Sequence, residues 1–233
     1  MKKFLASAVL TSAFIALHPV SAQATQAPAG SAIAQTTKVP AGSATAQASA
    51  SPTRAKLTIK GVFQATEYWC APASASIALR TLGVKVGQAT LAKKMRTNKD
   101  GSLADNILRV LNAYSKKTGY TYVPSSDAYS SKRLGQRLVH SIGTLGKAVP
   151  VQVFLDRIPW YRDVDFGRKN VGHVMIVHGY DKKAKTFIVW DPNNYTGDGG
   201  EHRITWAQLA KASFSTNPAP GYSRWGLYQP VKK

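Results

Sequence analysis

Cysteine is all but missing from this chain, with a single residue at position 70 out of 233. One sulfur makes no internal disulfide, even in a compartment that would permit one. Acidic residues are also scarce, eleven against 31 Lys and Arg, giving +20 at neutral pH. No apolar run reaches the ~20 residues that cross a bilayer. The longest, Phe4 to Leu17, follows Lys2 and Lys3 and precedes Ser21-Ala22-Gln23-Ala24. That order is a secretory signal, with cleavage expected after Ala24 or, alternatively, after Ala22. No transmembrane segment is expected in the mature protein, and no cysteine follows the run to carry a lipid. The protein is therefore expected to be secreted, periplasmic or held in the cell envelope.

Residues 25–55 lack large apolar side chains, and Pro28-Ala29-Gly30-Ser31-Ala32-Ile33-Ala34-Gln35 recurs nearly unchanged from Pro40 to Gln47. Two short copies without apolar faces have nothing to stack, so the segment reads as a disordered linker or pro-segment. Apolar and charged residues interleave from Lys56 onward, and 56–233 has the length of one ordinary domain.

Cys70 lies in Gln64-Ala65-Thr66-Glu67-Tyr68-Trp69-Cys70-Ala71-Pro72-Ala73-Ser74. Pro72 suits the first turn of a helix, and the following alanines, Ile77 and Leu79 extend it to Gly83. A cysteine at a helix N-terminus meets unpaired N–H groups and a positive dipole end, which favour the thiolate. Gln64 stands upstream at a distance that lets its amide reach the same sulfur and bind an oxyanion together with the Cys70 N–H. The plain alternative is a buried filler, since lone cysteines among small residues are often that.

Further along, Leu57–Phe63 reads as a strand and Gln88–Met95 as a short helix. Ser102 is expected to cap a third helix with Leu103, Ile107, Val110, Leu111 and Tyr114 inward. Gly119–Val123 reads as a strand, and Ser130 or Ser131 opens a helix burying Leu134, Leu138, Val139 and Ile142. Val149–Leu155 is a strand, followed by a long loop over 156–170. Val171–Tyr180 and Thr186–Trp190 form a hairpin. If Gly179 pairs with Lys185, His173 stands opposite Asp191 on one face, while His178 faces the other way with no carboxylate across from it. Such a pair can simply tie a hairpin shut. With Cys70 it also supplies the nucleophile, base and orienting acid of a thiol hydrolase.

These three motifs, Gln64 to Ser74, Gly172-His173-Val174-Met175-Ile176-Val177-His178-Gly179-Tyr180-Asp181 and Val189-Trp190-Asp191-Pro192, resemble papain-like cysteine peptidases of the bacteriocin-processing, double-glycine-leader type. The resemblance spans most of 60–213. It implies an α+β papain-like fold with an N-terminal helical half and a C-terminal antiparallel sheet. It also implies catalytic Cys70, His173, Asp191 and Gln64, no cofactor or metal, and a peptide or protein substrate touching Trp69 and Gly172. Ala71 stands where relatives often have glycine. The bacteriocin processors are fused to transporters and act in the cytoplasm, whereas an export signal begins this chain, so double-glycine cleavage does not carry over.

The remaining polar residues suggest little chemistry. His18 and His140 are expected to be idle, and Asp198, Glu201 and His202 read as a solvated loop without metal-ligand spacing. Trp160 and Tyr161 are candidates for the cleft border, and Trp190 for the core. All eleven acids and all but four basic residues lie from Lys56 onward, a net of +16 there. That balance suits an anionic cell envelope. The basic residues are scattered without interleaved aromatics, which argues against nucleic acid. The sequence reads as an exported thiol peptidase that hydrolyses peptides or proteins outside the cytoplasm, with cleavage of cell-wall peptide cross-links, or a binding module without turnover, as the alternatives.

Overall fold

A computed structural model describes residues 51–126 and 130–233. The expected signal, and the linker as far as residue 50, lie outside the described residues. The helical half comes first: α1 (Cys70–Arg80), α2 (Gln88–Met95) and α3 (Ala104–Ser115), then β2 (Tyr120–Ser125) and α4 (Ser131–Val139), after a short β1 (Arg54–Lys56). The sheet half follows with β3 (Val149–Phe154), β4 (Gly172–Asp181), β5 (Thr186–Asp191), β6 (Gly200–Thr205), α5 (Trp206–Ala212) and β7 (Leu227–Lys232). The fold is α+β, with an antiparallel sheet ordered β2-β7-β3-β4-β5-β6. Strand β1 takes the edge of β4 beyond Val177, where its pairing with β3 stops.

Alternate residues of a strand face opposite sides of a sheet, and here both sides are covered. Met175 and Val177 join Val151, Phe187 and Val189 against Leu134 and Leu138 of α4 and Leu209 of α5. Val174 and Ile176 pack instead with Ile77, Leu79, Leu91, Ile107 and Leu111 of the first three helices. The unbroken apolar run of β4 follows from burial on both faces.

Several local expectations change. Residues 51–55, expected in the linker, belong to the domain: Arg54–Lys56 pairs with β4, and Tyr180 donates to the Pro52 carbonyl. Residues 57–63 form no strand; they cross Trp190, whose N–H donates to the Val62 carbonyl. Ser102 does not cap α3 but exchanges a hydrogen bond with Thr97. Leu103, expected inward, is 75% exposed because the helix starts one residue later. Ser130 does cap α4, accepting from the Arg133 N–H. Glu201 and His202 sit on β6 rather than in a loop.

The hairpin register differs in a way that matters for function. Asp181 pairs with Thr186 and Gly179 with Ile188, three residues from the expected Gly179–Lys185 alignment. A slip by an odd number turns side chains to the wrong face. One extra residue in β4, His178, lies between the pairs Val177–Val189 and Gly179–Ile188 and takes one step back. The net shift is even, so His173 and Asp191 still share a face, diagonally rather than directly opposed. The bulge is held by Leu57, whose N–H donates to the His178 carbonyl at 2.8 Å and whose carbonyl meets His178 Nδ1 at 3.1 Å.

Gly179 closes this bulge with no room for a side chain: a Cβ there would lie 2.9 Å from Ile188 Cδ1 and 3.0 Å from the Ala55 carbonyl oxygen. We expect Gly179→Ala to cost about 1–3 kcal/mol in urea unfolding, as overpacking does. Unchanged stability would show that the bulge relaxes freely.

Candidate active site

Cys70 is the first residue of α1, preceded by Trp69 in a non-helical conformation. The Cys70 and Ala71 N–H groups have no acceptor among the described residues, and Pro72 has no N–H to leave unpaired. One turn on, the Ser74 hydroxyl donates to the Val174 carbonyl at 2.8 Å, and both Ala71 and Ala73 are buried. Small side chains on this face let the helix approach the strand, and the Ser74 bond fixes α1 beside the residue that follows His173. Cys70 itself stays partly accessible.

His173 and Asp191 are both buried, 3% and 0% exposed, with His173 Nε2 2.7 Å from Asp191 Oδ1. The carboxylate has a full set of donors. The Asn193 N–H also reaches Oδ1 at 2.9 Å, while Tyr161 OH at 2.9 Å and Trp160 Nε1 at 3.1 Å donate to Oδ2. Trp160 is held flat by stacking on His202, ring centroids 4.1 Å apart, and His202 Nε2 is bonded to the Asp198 carbonyl. Trp160 and Tyr161 therefore orient the acid rather than border the cleft. The cue in the sequence was the only Trp-Tyr pair, set in a charged loop.

Burial opposes charge on His173 more than any single partner favours it. The charge and hydrogen bond of Asp191, followed by those of Cys70, together outweigh burial and raise the imidazole well above its ordinary 6.5. Burial likewise pushes Asp191 up, but His173, the Asn193 N–H and Trp160 hold it below 3.8. Nε2 is committed to the carboxylate, which leaves Nδ1 for the thiol. His178 behaves differently: burial lowers its pKa. A carboxylate does stand near it, contrary to expectation, because β6 brings Glu201 within 3.4 Å of Nε2. Lys56 binds the same Glu201 at 2.7 Å.

Two cavities, about 460 and 250 Å³, flank the pair, and Cys70, Gly172 and His173 line both. Leu103 and Tyr222 border the larger, and Gln64, Tyr68 and Tyr195 the smaller. Trp69 lines neither. A Cβ on Gly172 would lie 2.9 Å from the Tyr222 ring. Gln64 is buried, and its Nε2 donates to the Thr66 and Glu67 carbonyls at 3.0 and 2.9 Å. Its Oε1 has no hydrogen-bond partner among the described residues.

The pair makes stability depend on pH with a definite sign. The His173 contribution is complete below 6.5 and is lost as pH rises through its raised value; the Asp191 contribution is present above 3.8 and is lost as pH falls through its lowered one. Thermal unfolding from mildly acidic to alkaline pH should show the alkaline decline in the wild type and a flatter profile in Asp191→Asn. Identical profiles would contradict the pairing. Tyr161→Phe should cost about 1.5–3 kcal/mol, the range for a hydrogen bond to a charged group.

A C39-like peptidase from Bacillus anthracis is 13% identical, with a TM-score of 0.54 over 77% of this chain and 98% of that one. The peptidase domain of Streptococcus ComA, a bi-functional ABC transporter involved in quorum sensing, is 19% identical, with a TM-score of 0.47 over 73% and 94%. Xylellain, a cysteine protease from Xylella fastidiosa, is 12% identical, with a TM-score of 0.49 over 80% and 88%. Among curated protein sequences none matches this chain significantly. The sequence profile of the Peptidase_C39 like family matches residues 56–217, most of the chain. The chain belongs to the Peptidase_C39 like family and is a cysteine peptidase.

Proposed function

We propose that the protein is an exported peptidase that cleaves peptide bonds through an acyl-enzyme on Cys70, with His173 as base and acid, Asp191 as its orienting partner and Gln64 in the oxyanion site. One observation carries this reading: a helix-start cysteine and His173, itself bonded to the buried Asp191, line the same two cavities. A peptide lying across the pair would fill one cavity on each side of the scissile bond.

In the first step His173 Nδ1 accepts the thiol proton as Cys70 Sγ bonds to the carbonyl carbon. Negative charge moves to the carbonyl oxygen, where the unpaired Cys70 N–H can donate. Gln64 joins by turning a carboxamide N–H away from the Thr66 or Glu67 carbonyl that now accepts it. The C–N bond then breaks and the imidazolium protonates the leaving amine. A water activated by the neutral imidazole attacks the thioester, releasing the acid and restoring the thiol. Asp191 favours the charged imidazole of the intermediate states and fixes the proton on Nε2.

Export rests on the Lys2, Lys3 and Phe4–Leu17 signal. N-terminal sequencing of protein recovered outside the cytoplasm should begin at Thr25 or Gln23. The +16 of residues 56–233 also suits cell-wall peptide cross-links as substrate, and incubation with purified wall beside casein separates the two. A peptide-library digest should show cleavage by the wild type and none by Cys70→Ala. Gln64→Ala should lower kcat about 100- to 1000-fold, the cost of losing one oxyanion donor. Cleavage that persists in Cys70→Ala, or an undiminished kcat in Gln64→Ala, would remove that residue from the mechanism.

A further inference from the structure

The basic residues are not spread evenly over the fold. Apart from the short β1, the strands and the helices α1 and α3 run between two ends of the domain, and the cleft occupies one of them. Cys70 begins α1 and Ala104, lining the larger cavity, begins α3. Their C-termini lie about 16–18 Å away at 1.5 Å per residue. At that far end Tyr120 of β2 pairs with Lys232 of β7, and β4 turns into β5.

This far end gathers cations from separate elements. Lys182, Lys183 and Lys185 occupy the β4–β5 turn, and Arg54 of β1 pairs across from Asp181. Lys116 and Lys117 follow α3, beside Lys232 and Lys233 at the end of β7. Arg80 closes α1, and Lys147 reaches the Thr81 carbonyl next to it. Asp181 is the one carboxylate side chain there among the described residues, and Arg54 lies 3.9 Å from it. The other described acids stand toward the cleft: Glu67, Asp100 and Asp105 around it, the loop acids after β3, and Asp191, Asp198 and Glu201 where β5 meets β6.

Three of these lysines do local work, since Lys147, Lys182 and Lys233 donate to the carbonyls of Thr81, Ser51 and Lys116. Lys117, Lys183, Lys185 and Lys232 are exposed and make no ion pair among the described residues. The large exposed apolar side chains are elsewhere. Leu103 and Tyr222 border one cavity, Tyr195 the other, and Phe63 precedes Gln64.

We propose that this cationic end is a docking surface for an anionic lipid bilayer, on which the domain rests by charge alone with its cleft turned outward. An end rich in lysine, poor in carboxylates and without exposed large apolar residues is suited to adsorb on headgroups rather than insert. Among the described residues it has no exposed aromatic ring, and partly buried Tyr120 lies under Lys147, whose Nζ is 5.2 Å from the ring centroid, which separates it from the stacking platforms of single-stranded nucleic-acid sites. The first described residues lie at the same end, because Ser51 and Pro52 are bonded to Lys182 and Tyr180. The proposal is independent of the catalytic assignment.

Co-sedimentation of the full chain with phosphatidylglycerol-containing vesicles, beside phosphatidylcholine vesicles, tests it. One variant reverses Lys116, Lys117, Lys183, Lys185 and Lys232 to Glu; a control reverses Lys93, Lys94, Arg162, Lys169 and Lys211, giving the same net charge. We expect binding to the anionic vesicles to fall by about tenfold or more in the first and to stay within about twofold in the control. It should be released in about 1 M salt, where the screening length is about 3 Å. Circular dichroism melts of both variants check folding, and Lys117→Ala with Lys183→Ala and Lys185→Ala is the milder form should the first melt early. Equal loss in both variants would reduce the effect to net charge. No preference for the anionic vesicles, or equally tight binding of duplex DNA through the same lysines, would also overturn the proposal.

Discussion

A fully buried carboxylate governs this structure. Taking Asp191 out of water is costly, and a buried charge persists only with a partner and with its remaining acceptor positions filled. Here the partner is His173, and the other donors come from the Asn193 backbone, Trp160 and Tyr161. Three parts of the chain must therefore converge on two oxygens: the β4 start, the 159–161 turn and the corner after β5. That convergence fixes the imidazole, and the imidazole defines where a thiol has to stand.

The helical half answers that requirement with small residues and one hydroxyl. Ala71 and Ala73 let α1 lie close to β4, and Ser74 ties it to the carbonyl next to His173. The sheet half answers with a bulge. The tight β4–β5 turn alone would set the histidine and the aspartate on opposite faces, and the extra residue at His178 restores their phase. The bulge leaves backbone groups to satisfy, and Leu57, from the segment entering the domain, does so. The stretch that enters the domain thus supports the register that brings His173 and Asp191 together. The same segment brings Lys56 to Glu201 and Arg54 to Asp181.

The charge distribution follows from the same division of labour. The cleft end contains Asp191 and the loop carboxylates, while the far end is made of helix C-termini, strand ends and a turn. Lysines are favourable at helix C-termini because they meet unpaired carbonyls, as Lys147 and Lys233 do. An overall excess of cations therefore accumulates where the structure tolerates it best, and it leaves one end of the domain free for an anionic surface.

Much of the site was legible in the residues themselves. A single cysteine before an Ala-Pro-Ala start is a helix N-terminus by local chemistry, and the apolar runs around His173 and before Asp191 are strands by composition. The three motifs needed nothing more, because each rests on interactions within a few residues, and the α+β class followed from the resemblance those motifs carry. What the sequence could not decide is everything set by distant contacts. The register of the hairpin depended on a bulge stabilised by Leu57, about 120 residues earlier in the chain. The place of Trp160 and Tyr161 depended on a carboxylate 30 residues away, and β6 carried Glu201 and His202 out of an apparent loop. Short polar segments carry no periodicity that reveals such partners, so only the folded chain assigns them.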